Sequence, residues 1–343
     1  MNKNLESILA FAAVKISTLR GVSSRLYLFP TIFAWMTGLS QADTPHPTHP
    51  NVDTWCIGRY LIDLPIGSRV EIEYTTKDAH VRTLTGISIE QFRDTVARRH
   101  QVLSETPHNN GGFMFVDIDS MRDDYTTLIS WNSTDSKRIY TYETFHYMAQ
   151  QQVLYVFSGR GTAGEEQRKK ASAVQRSSYA ELRYRAPMEV PIETGFCINE
   201  GLIKTDKPNR EAYTAVVRLS GHPDVVIALE SHVTRRPSDI SQQPAIPFSL
   251  SVSHYMQTKI LRKRPRKVGE AQGQEYLTRS RQKNGKRHYH FEWKTYGIKN
   301  SLYYPYMRLT LQTEESDHSI SNDKEALRLW ENILRSLRLR PTV

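Results

Sequence analysis

With 343 residues, 38% apolar and 24% charged, the chain has the composition of an ordinary soluble protein on the polar side. Its length lies at or beyond the size at which one core usually splits into two. The 46 Lys and Arg against 36 Asp and Glu leave a formal net charge of +10, which argues against basic partners and favours nucleic acid, an anionic membrane face or an acidic protein.

Residues 1–42 do not read as folded domain. Lys3, Lys15, Arg20 and Arg25 form a long positive stretch, Leu26–Trp35 with Met36 and Leu39 an apolar core, and Ser40-Gln41-Ala42 a small-residue cleavage site. This is the pattern of a secretory signal peptide, with an n-region long enough to suggest a later true start. The apolar run falls short of the roughly 20 residues of a membrane span. An uncleaved anchor is the rival reading, and the absence of a cysteine at the cleavage point argues against a lipoprotein. Residues 43–53 form a proline-rich leader, TPHPTHP at its heart, which cannot make helix or central strand. His46 and His49 in it read as part of a solvated tail in preference to a weak metal site. Export implies a periplasmic protein and disfavours nucleic acid, leaving membrane and protein partners. The 301 residues from Asp43 onward keep a net charge of +7, since the signal carries four basic residues and one acidic.

Thr54–Pro65 reads TWCIGRYLIDLP, and a second cysteine segment, GFCINEGLI, stands at Gly195–Ile203. Cys56 and Cys197 are the only cysteines, and each opens a similar run of strands. In an oxidising compartment two cysteines favour one disulfide, with two buried free thiols as the alternative. No CxxC or Cys/His spacing suggests zinc. Arg69–Thr75 alternates as a half-buried strand does, and His80–Gly86 pairs back on it. Ser88 and Gln91 form a capping box that opens a helix with Ile89, Phe92, Val96 and Leu103 on one face. Thr106–Gly112 is a loop. Strands follow at Phe113–Ile118, Thr126–Trp131, Arg138–Tyr147 and Gln152–Phe157, the last broken by Gly159–Gly164, and a charged helix runs from Glu165 to Leu182.

Ala186–Glu193, with two prolines, is the expected linker. The plan then repeats: an opening strand Phe196–Ile203, alternating strands Ala212–Leu219 and Val225–Ser231 around Gly221-His222-Pro223-Asp224, and a loop Arg235–Pro247. A long strand covers Phe248–Lys259, a hairpin joins Gln274–Gln282 to Arg287–Tyr296 across Asn284-Gly285, and Tyr303–Thr313 is a further strand. Asn322, boxed by Glu325, caps a last helix with Leu327, Trp330, Leu334 and Leu337 on one side and Ala326 and Ile333 beside them. Both halves end alike, in SYAELRYRAP and ILRSLRLRP. The expected fold is α+β: two similar domains, 54–187 and 188–343, each a mainly antiparallel β-sheet with helices packed on one face.

The sequence holds no G-x-S-x-G elbow, no H-E-x-x-H and no Gly-rich phosphate loop. His288 and His290 point the same way along a strand but lack a third ligand, and Asp117, Asp119, Asp123 and Asp124 lack the order of a calcium loop. Both read as ordinary surface, so no catalytic residue, cofactor or metal is expected. Lys259–Lys267, KILRKRPRK, is different: Arg262, Lys263, Arg264 and Arg266 stand near Arg281, Lys283, Lys286 and Arg287 on the adjoining hairpin, whose second strand carries Tyr289, Phe291, Trp293 and Tyr296. Dense positive charge beside aromatics is the usual make-up of a binding surface, with a merely solvated face as the alternative.

WCIGRYLIDLP near the mature start, FCINEGLI in the second half and the GHPDV turn before a strand resemble the type VI secretion immunity proteins that neutralise class-four lipase effectors. The resemblance spans most of the mature chain and is densest over Cys56–Pro65. It implies a non-enzymatic two-domain periplasmic protein that binds a cognate phospholipase-type toxin, blocks substrate access between its domains and carries no cofactor. A free monomer without a membrane span after signal cleavage is expected. The competing readings are an envelope protein that holds anionic lipid through the basic cluster and a hydrolase with an unrecognised site.

Overall fold

The computed structural model describes residues 51–169, 173, 180–207, 209–234, 258–281, 285–314 and 319–342. The signal segment 1–42, residues 43–50 of the leader, the Arg235–Pro247 loop, residues 248–257 of the expected long strand, and Lys283 lie outside the described residues.

TWCIGRYLIDLP folds back on itself. Strands β1 (Val52–Ile57) and β2 (Tyr60–Pro65) pair antiparallel with Cys56 opposite Leu61. The turn falls at Gly58-Arg59 because Gly58 sits at φ +60°, where a Cβ would come 2.6 Å from the Tyr213 ring.

Between the cysteine segments, strands β3 (Arg69–Thr76) and β4 (Ala79–Thr85) form a hairpin. Helix α1 (Ile89–Glu105) follows, with the Ser88 capping box complete in both directions. A meander then runs through β5 (Phe115–Arg122), β6 (Tyr125–Ser133), β7 (Ser136–Met148) and β8 (Val153–Thr162). The glycines expected to break β8 do not. Gly159 and Gly161 stay in register opposite Tyr142 and Tyr140, since a glycine keeps its N–H and can remain in a ladder. Residues 165–169 are helical, and Leu182, expected as a helix end, opens β9 (Leu182–Tyr184).

The second cysteine segment, expected as one strand, is a hairpin too. β10 (Phe196–Ile198) and β11 (Gly201–Ile203) place Cys197 opposite Leu202, turning where Glu200 adopts φ +51°. Then come β12 (Ala212–Arg218), β13 (Val225–His232), β14 (Thr258–Val268), β15 (Ala271–Arg281), β16 (Arg287–Thr295) and β17 (Tyr306–Thr313). Helix α2 (Asp323–Ser336) and the short β18 (Arg338–Leu339) close the chain. Asn322 caps α2 as expected, but the Glu325 carboxylate accepts from Ser321 N–H, one residue before the cap.

The two halves share one sheet. β3 pairs with β12 from Arg69↔Arg218 to Thr75↔Ala212, and the same order extends outward on each side: β3-β4-β8-β7-β6-β5 and β12-β13-β17-β16-β15-β14. Twelve strands thus form one antiparallel sheet about a pseudo-twofold centre. Val153, Tyr155 and Phe157 of β8 join the main core with the Trp330 side chain of α2, which meets Phe291 edge-on. Leu154 and Val156, alternating to the other face, pack with α1, whose Phe92 stacks on Tyr147 at 5.2 Å. The two named helices therefore lie on opposite faces of the sheet.

Above the sheet centre the halves exchange strands. β9 of the first half pairs with β11, and β18 of the second half pairs with β2. Arg185 N–H donates to Glu200 O and Arg340 N–H to Arg59 O, each at 2.9 Å, so the exchange is symmetric to the residue. Gly58 and Cys197 trade backbone hydrogen bonds of 3.0 and 2.8 Å, and Cys56 and Cys197 are joined in a buried disulfide. The disulfide closes a loop of 141 residues, whose chain entropy would stabilise the fold by at most about 5 kcal/mol. Replacing both cysteines with alanine is expected to lower the unfolding free energy by about 2–5 kcal/mol. Urea titration checks this: a loss below about 1 kcal/mol would show that the hydrogen bonds hold the crossing unaided.

Candidate functional site

Two surfaces concentrate chemistry: the basic edge of the sheet and the junction of the cysteine hairpins.

The basic run KILRKRPRK is itself part of strand β14, the outermost described strand of the second half. Alternation splits its charges between two faces. Arg262, Arg264 and Arg266 turn toward α2 and meet two carboxylates. Glu275 of β15, fully buried, accepts from Arg264 at 3.1 Å and lies 2.9 Å from Arg262, and Trp330 Nε1–H donates to it at 2.8 Å. Glu331 of α2 accepts from Arg262 and Arg266 at 2.7 Å and from Arg335 at 3.2 Å. Burial pushes the Glu331 carboxyl up, but the hydrogen bonds and charges of Arg266 and Arg262 outweigh it and hold it below the ordinary 4.5. Three of the expected binding residues therefore fasten the edge strand to the last helix. Lys263 lies on the other face, its Nζ 6.0 Å from the Tyr276 ring centre, with Lys259 and Lys267 also exposed, and Lys267 bonded to Glu270. Lysines with Pro265 on an outermost strand also discourage strand addition.

The hairpin residues are dispersed. Arg281 and Arg287 face each other across β15 and β16, and Arg287 donates to Ser321 O at 3.0 Å. Lys286 precedes β16 beside them. The aromatics expected on this surface point elsewhere: Tyr289, Phe291, Trp293 and Tyr296 are all buried. Tyr289 donates to Asp323 at 2.9 Å, and burial together with that carboxylate pushes its hydroxyl up to about 12.

His288 and His290 lie on the opposite side of β16 from Tyr289, Phe291 and Trp293, and burial pushes His290 below the ordinary imidazole value. Asp117 is paired with Arg168. Among the described residues no three His, Cys, Asp or Glu side chains converge as a metal site would need. His222, Ser319 and Asp224 do meet, but in the wrong sense for acyl transfer. Ser319 Oγ donates to Asp224 while His222 Nδ1 stands 2.9 Å from that Oγ, so the serine hydroxyl is turned toward the carboxylate and not toward the imidazole. An open cleft of about 390 Å³ is lined by Asp124, His146, Met148 and Leu182 among others.

At the junction, buried arginines hold the crossing chains. Arg59 forms a two-pronged pair with Glu211 at 2.7 and 2.8 Å and donates to Thr205 O at 2.9 Å. Burial pushes the Glu211 carboxyl up, against the pull of Arg59. Arg185 donates to Glu189 O and Ile198 O at 2.7 and 3.0 Å. Arg340 donates to the carbonyls of Pro191, Glu193 and Gly195, and burial, with the charge of Arg59 behind it, pushes its guanidinium down to about 10. Several large apolar side chains of the neighbouring segments are exposed. Met188, Val190 and Ile192 of the inter-half segment, Leu339, and Ile298, Tyr303 and Tyr304 of the β16–β17 connection are all exposed. The sequence reading passed over them. The signal available was the alternation of Val190 and Ile192 with prolines and the Tyr303-Tyr304-Pro305 run.

Comparison with known proteins decides the family. Residues 53–185 match the profile described as the N-terminal domain of Tle cognate immunity protein 4, and residues 189–342 match its C-terminal domain. The chain belongs to the Tle cognate immunity protein 4 family. Among solved structures, the apo immunity protein TplEi of T6SS from Pseudomonas aeruginosa is 28% identical, with a TM-score of 0.76 over 85% of this chain and 98% of that one. The Tle4–Tli4 complex is similar at 27% identity and a TM-score of 0.77, covering 85% and 99%. TplEi complexed with the "L" peptide is also 27% identical, with a TM-score of 0.72 and coverage of 85% and 99%. No curated protein matches. Membership in the Tle cognate immunity protein 4 family makes the chain a non-enzymatic inhibitor of the type VI secretion immunity class.

The Arg–Glu cluster carries its own prediction. Because Glu331 titrates below its unfolded value, its contribution is fully present above about pH 4.5 and is lost as pH falls through the folded value. Glu331→Gln should therefore cost about 1 kcal/mol at pH 7 and progressively less as the pH is lowered from about 4.5 through the folded value. Urea denaturation at pH 7 and below about pH 4.5 checks this; an equal loss at the two would show that packing, not charge, is responsible.

Proposed function

We propose that the chain is a periplasmic immunity protein that binds a cognate type VI secreted lipase toxin and inhibits it by covering its active-site entrance between the two halves. The observation that carries this reading is the match of both halves, in order, to a family that includes a protein solved in complex with Tle4. The disulfide and the signal-like residues 1–42 support export, with 43–53 as leader and 54–187 and 188–343 as the two halves. A toxin acting outside the cytoplasm requires an antidote there. The shared sheet and the disulfide support a preset geometry, which lowers the ordering cost of binding. The free protein is proposed to be monomeric.

The basic cluster is proposed to meet an acidic patch of the toxin, with Lys263, Arg281, Lys283, Lys286 and Arg287 as the groups that steer it, while Arg262, Arg264 and Arg266 act through their surplus charge over Glu275 and Glu331. The second reading, capture of anionic lipid through this same edge, rests on the exposed lysines of β14. No described helix is long and apolar enough to cross a membrane.

Residues 43–343 mixed with the lipase encoded by the adjoining gene are expected to form a tight complex and abolish ester hydrolysis in the same tubes. Reversing Lys263, Arg281 and Arg287 to glutamate should slow association and flatten its salt dependence. Intact lipase activity with no complex would reject the immunity reading for that pair. Sedimentation with phosphatidylglycerol vesicles in the absence of toxin would favour the lipid reading.

A further inference from the structure

We propose that the junction of the two halves is a binding site for one buried water molecule, held by the Tyr213 and Ser231 hydroxyls and the Glu211 carboxylate, and that this water helps fasten the cysteine-hairpin layer to the sheet.

A small cavity stands where the two layers meet. Arg59 and Phe196 line it from the cysteine hairpins, and Glu211, Tyr213 and Ser231 line it from β12, β13 and the residue that precedes β12. The space open to the centre of a water molecule there is about 10 Å³. That is room for about one water and for no larger ligand. Arg59 and Tyr213 are 4% exposed and Glu211 and Ser231 5%, so bulk water does not solvate their polar atoms.

The tyrosine hydroxyl needs a partner. Tyr213 and Ser231 face each other across β12 and β13, and the phenol lies close enough to Ser231 to be influenced by its hydroxyl. Yet among the described residues the Tyr213 hydroxyl makes no direct hydrogen bond. Its ring is held in place: Gly58 backs onto it so closely that a Cβ would come 2.6 Å from it, and the Phe196 ring packs beside it with centroids 6.5 Å apart. A buried hydroxyl left dry and unbonded is costly, and two polar groups just beyond direct reach are what a bridging water joins.

Glu211 supplies the third contact. Arg59 donates once to each of its carboxylate oxygens, at 2.8 and 2.7 Å, which leaves acceptor capacity on both. A water in the cavity can donate to Glu211 and to Ser231 Oγ while accepting from Tyr213 Oη, and about three hydrogen bonds are usual for a buried water. A metal cation is a poorer occupant, because the Arg59 guanidinium lines the same cavity. Arg59 belongs to the first half and the three contacts to the second, so the site exists only where the halves have joined.

Two measurements test this. In a high-resolution crystal structure, density for one water is expected within about 2.6–3.2 Å of both Tyr213 Oη and Ser231 Oγ. Density that shows the two hydroxyls bonded directly to each other, or no water between them, would overturn the proposal. Urea unfolding then compares Tyr213→Phe, Ser231→Ala and the double variant, each of which removes an oxygen and leaves the rest of the side chain in place. Each single substitution is expected to raise the unfolding constant about five- to tenfold, and the double variant hardly more than the larger single, because both act on the same water. A Tyr213→Phe chain as stable as the wild type, or more stable, would show that the hydroxyl had no partner to lose and would reject the site. Fully additive losses would assign the two hydroxyls to separate bonds, with the same consequence.

Discussion

The rest of the structure depends on the exchange of strands over the Cys56–Cys197 bridge. Each cysteine hairpin has two strands of its own and takes its third from the other half: β18 on β2 and β9 on β11. Neither hairpin layer is complete within its own half. The disulfide, the paired backbone bonds of Gly58 and Cys197, and the matched bonds of Arg185 and Arg340 all lie at this point. Separating the halves would therefore break a covalent bond, two borrowed strand pairings and the β3–β12 pairing of the sheet beneath.

The exchange also explains why Arg59, Arg185 and Arg340 are buried. Where strands from two halves interleave, some carbonyls find no ladder partner. Arg340 offers its guanidinium to three of them and Arg185 to two. Arginine suits the task because it presents several donors in a rigid plane and stays charged when desolvated. Of these three, Arg59 has a two-pronged carboxylate partner, Glu211, and both members of that pair are buried. Removing one partner of such a buried pair costs more than the pair contributes, because the remaining charge is left without compensation.

Much of this was legible in the sequence, for definable reasons. The capping box at Ser88, the strands over residues 113–147 and the amphipathic last helix are local patterns, readable from alternation, spacing and end signals. The doubled plan was visible because CIGRYLI and CINEGLI keep cysteine, isoleucine and leucine at the same offsets, and LRYRAP and LRLRP repeat at the ends. The exchange itself was not visible, because nothing in a short run of alternating residues says which hairpin it completes. The continuous twelve-stranded sheet was hidden for the same reason: β3 and β12 are some 140 residues apart and paired only by tertiary structure. At the candidate site, the positive charge was correctly located along the chain. Its internal neutralisation was not, since Glu331 lies 65 residues from Arg266. The aromatics of β16 were misjudged because an alternating strand shows which residues share a face but not which face is buried.

The distribution of rigidity bears on how one chain could block a lipase. An inhibitor built from two independently tumbling domains would have to order them on binding, and the lost freedom would subtract from affinity. Here the sheet crosses from one half to the other without interruption, and the layer above it is tied by a disulfide and by arginine–carbonyl bonds. Exposed apolar side chains occur along the inter-half segment and the β16–β17 connection, and also at Ile66, Val102, Phe113, Ile118, Ile139 and Ile260. Exposed apolar groups on a stiff backbone are costly to keep in water and gain the most when a partner covers them. Under the proposed function the basic edge would bear on how quickly partners meet, and the stiffness of the junction on how little ordering binding costs.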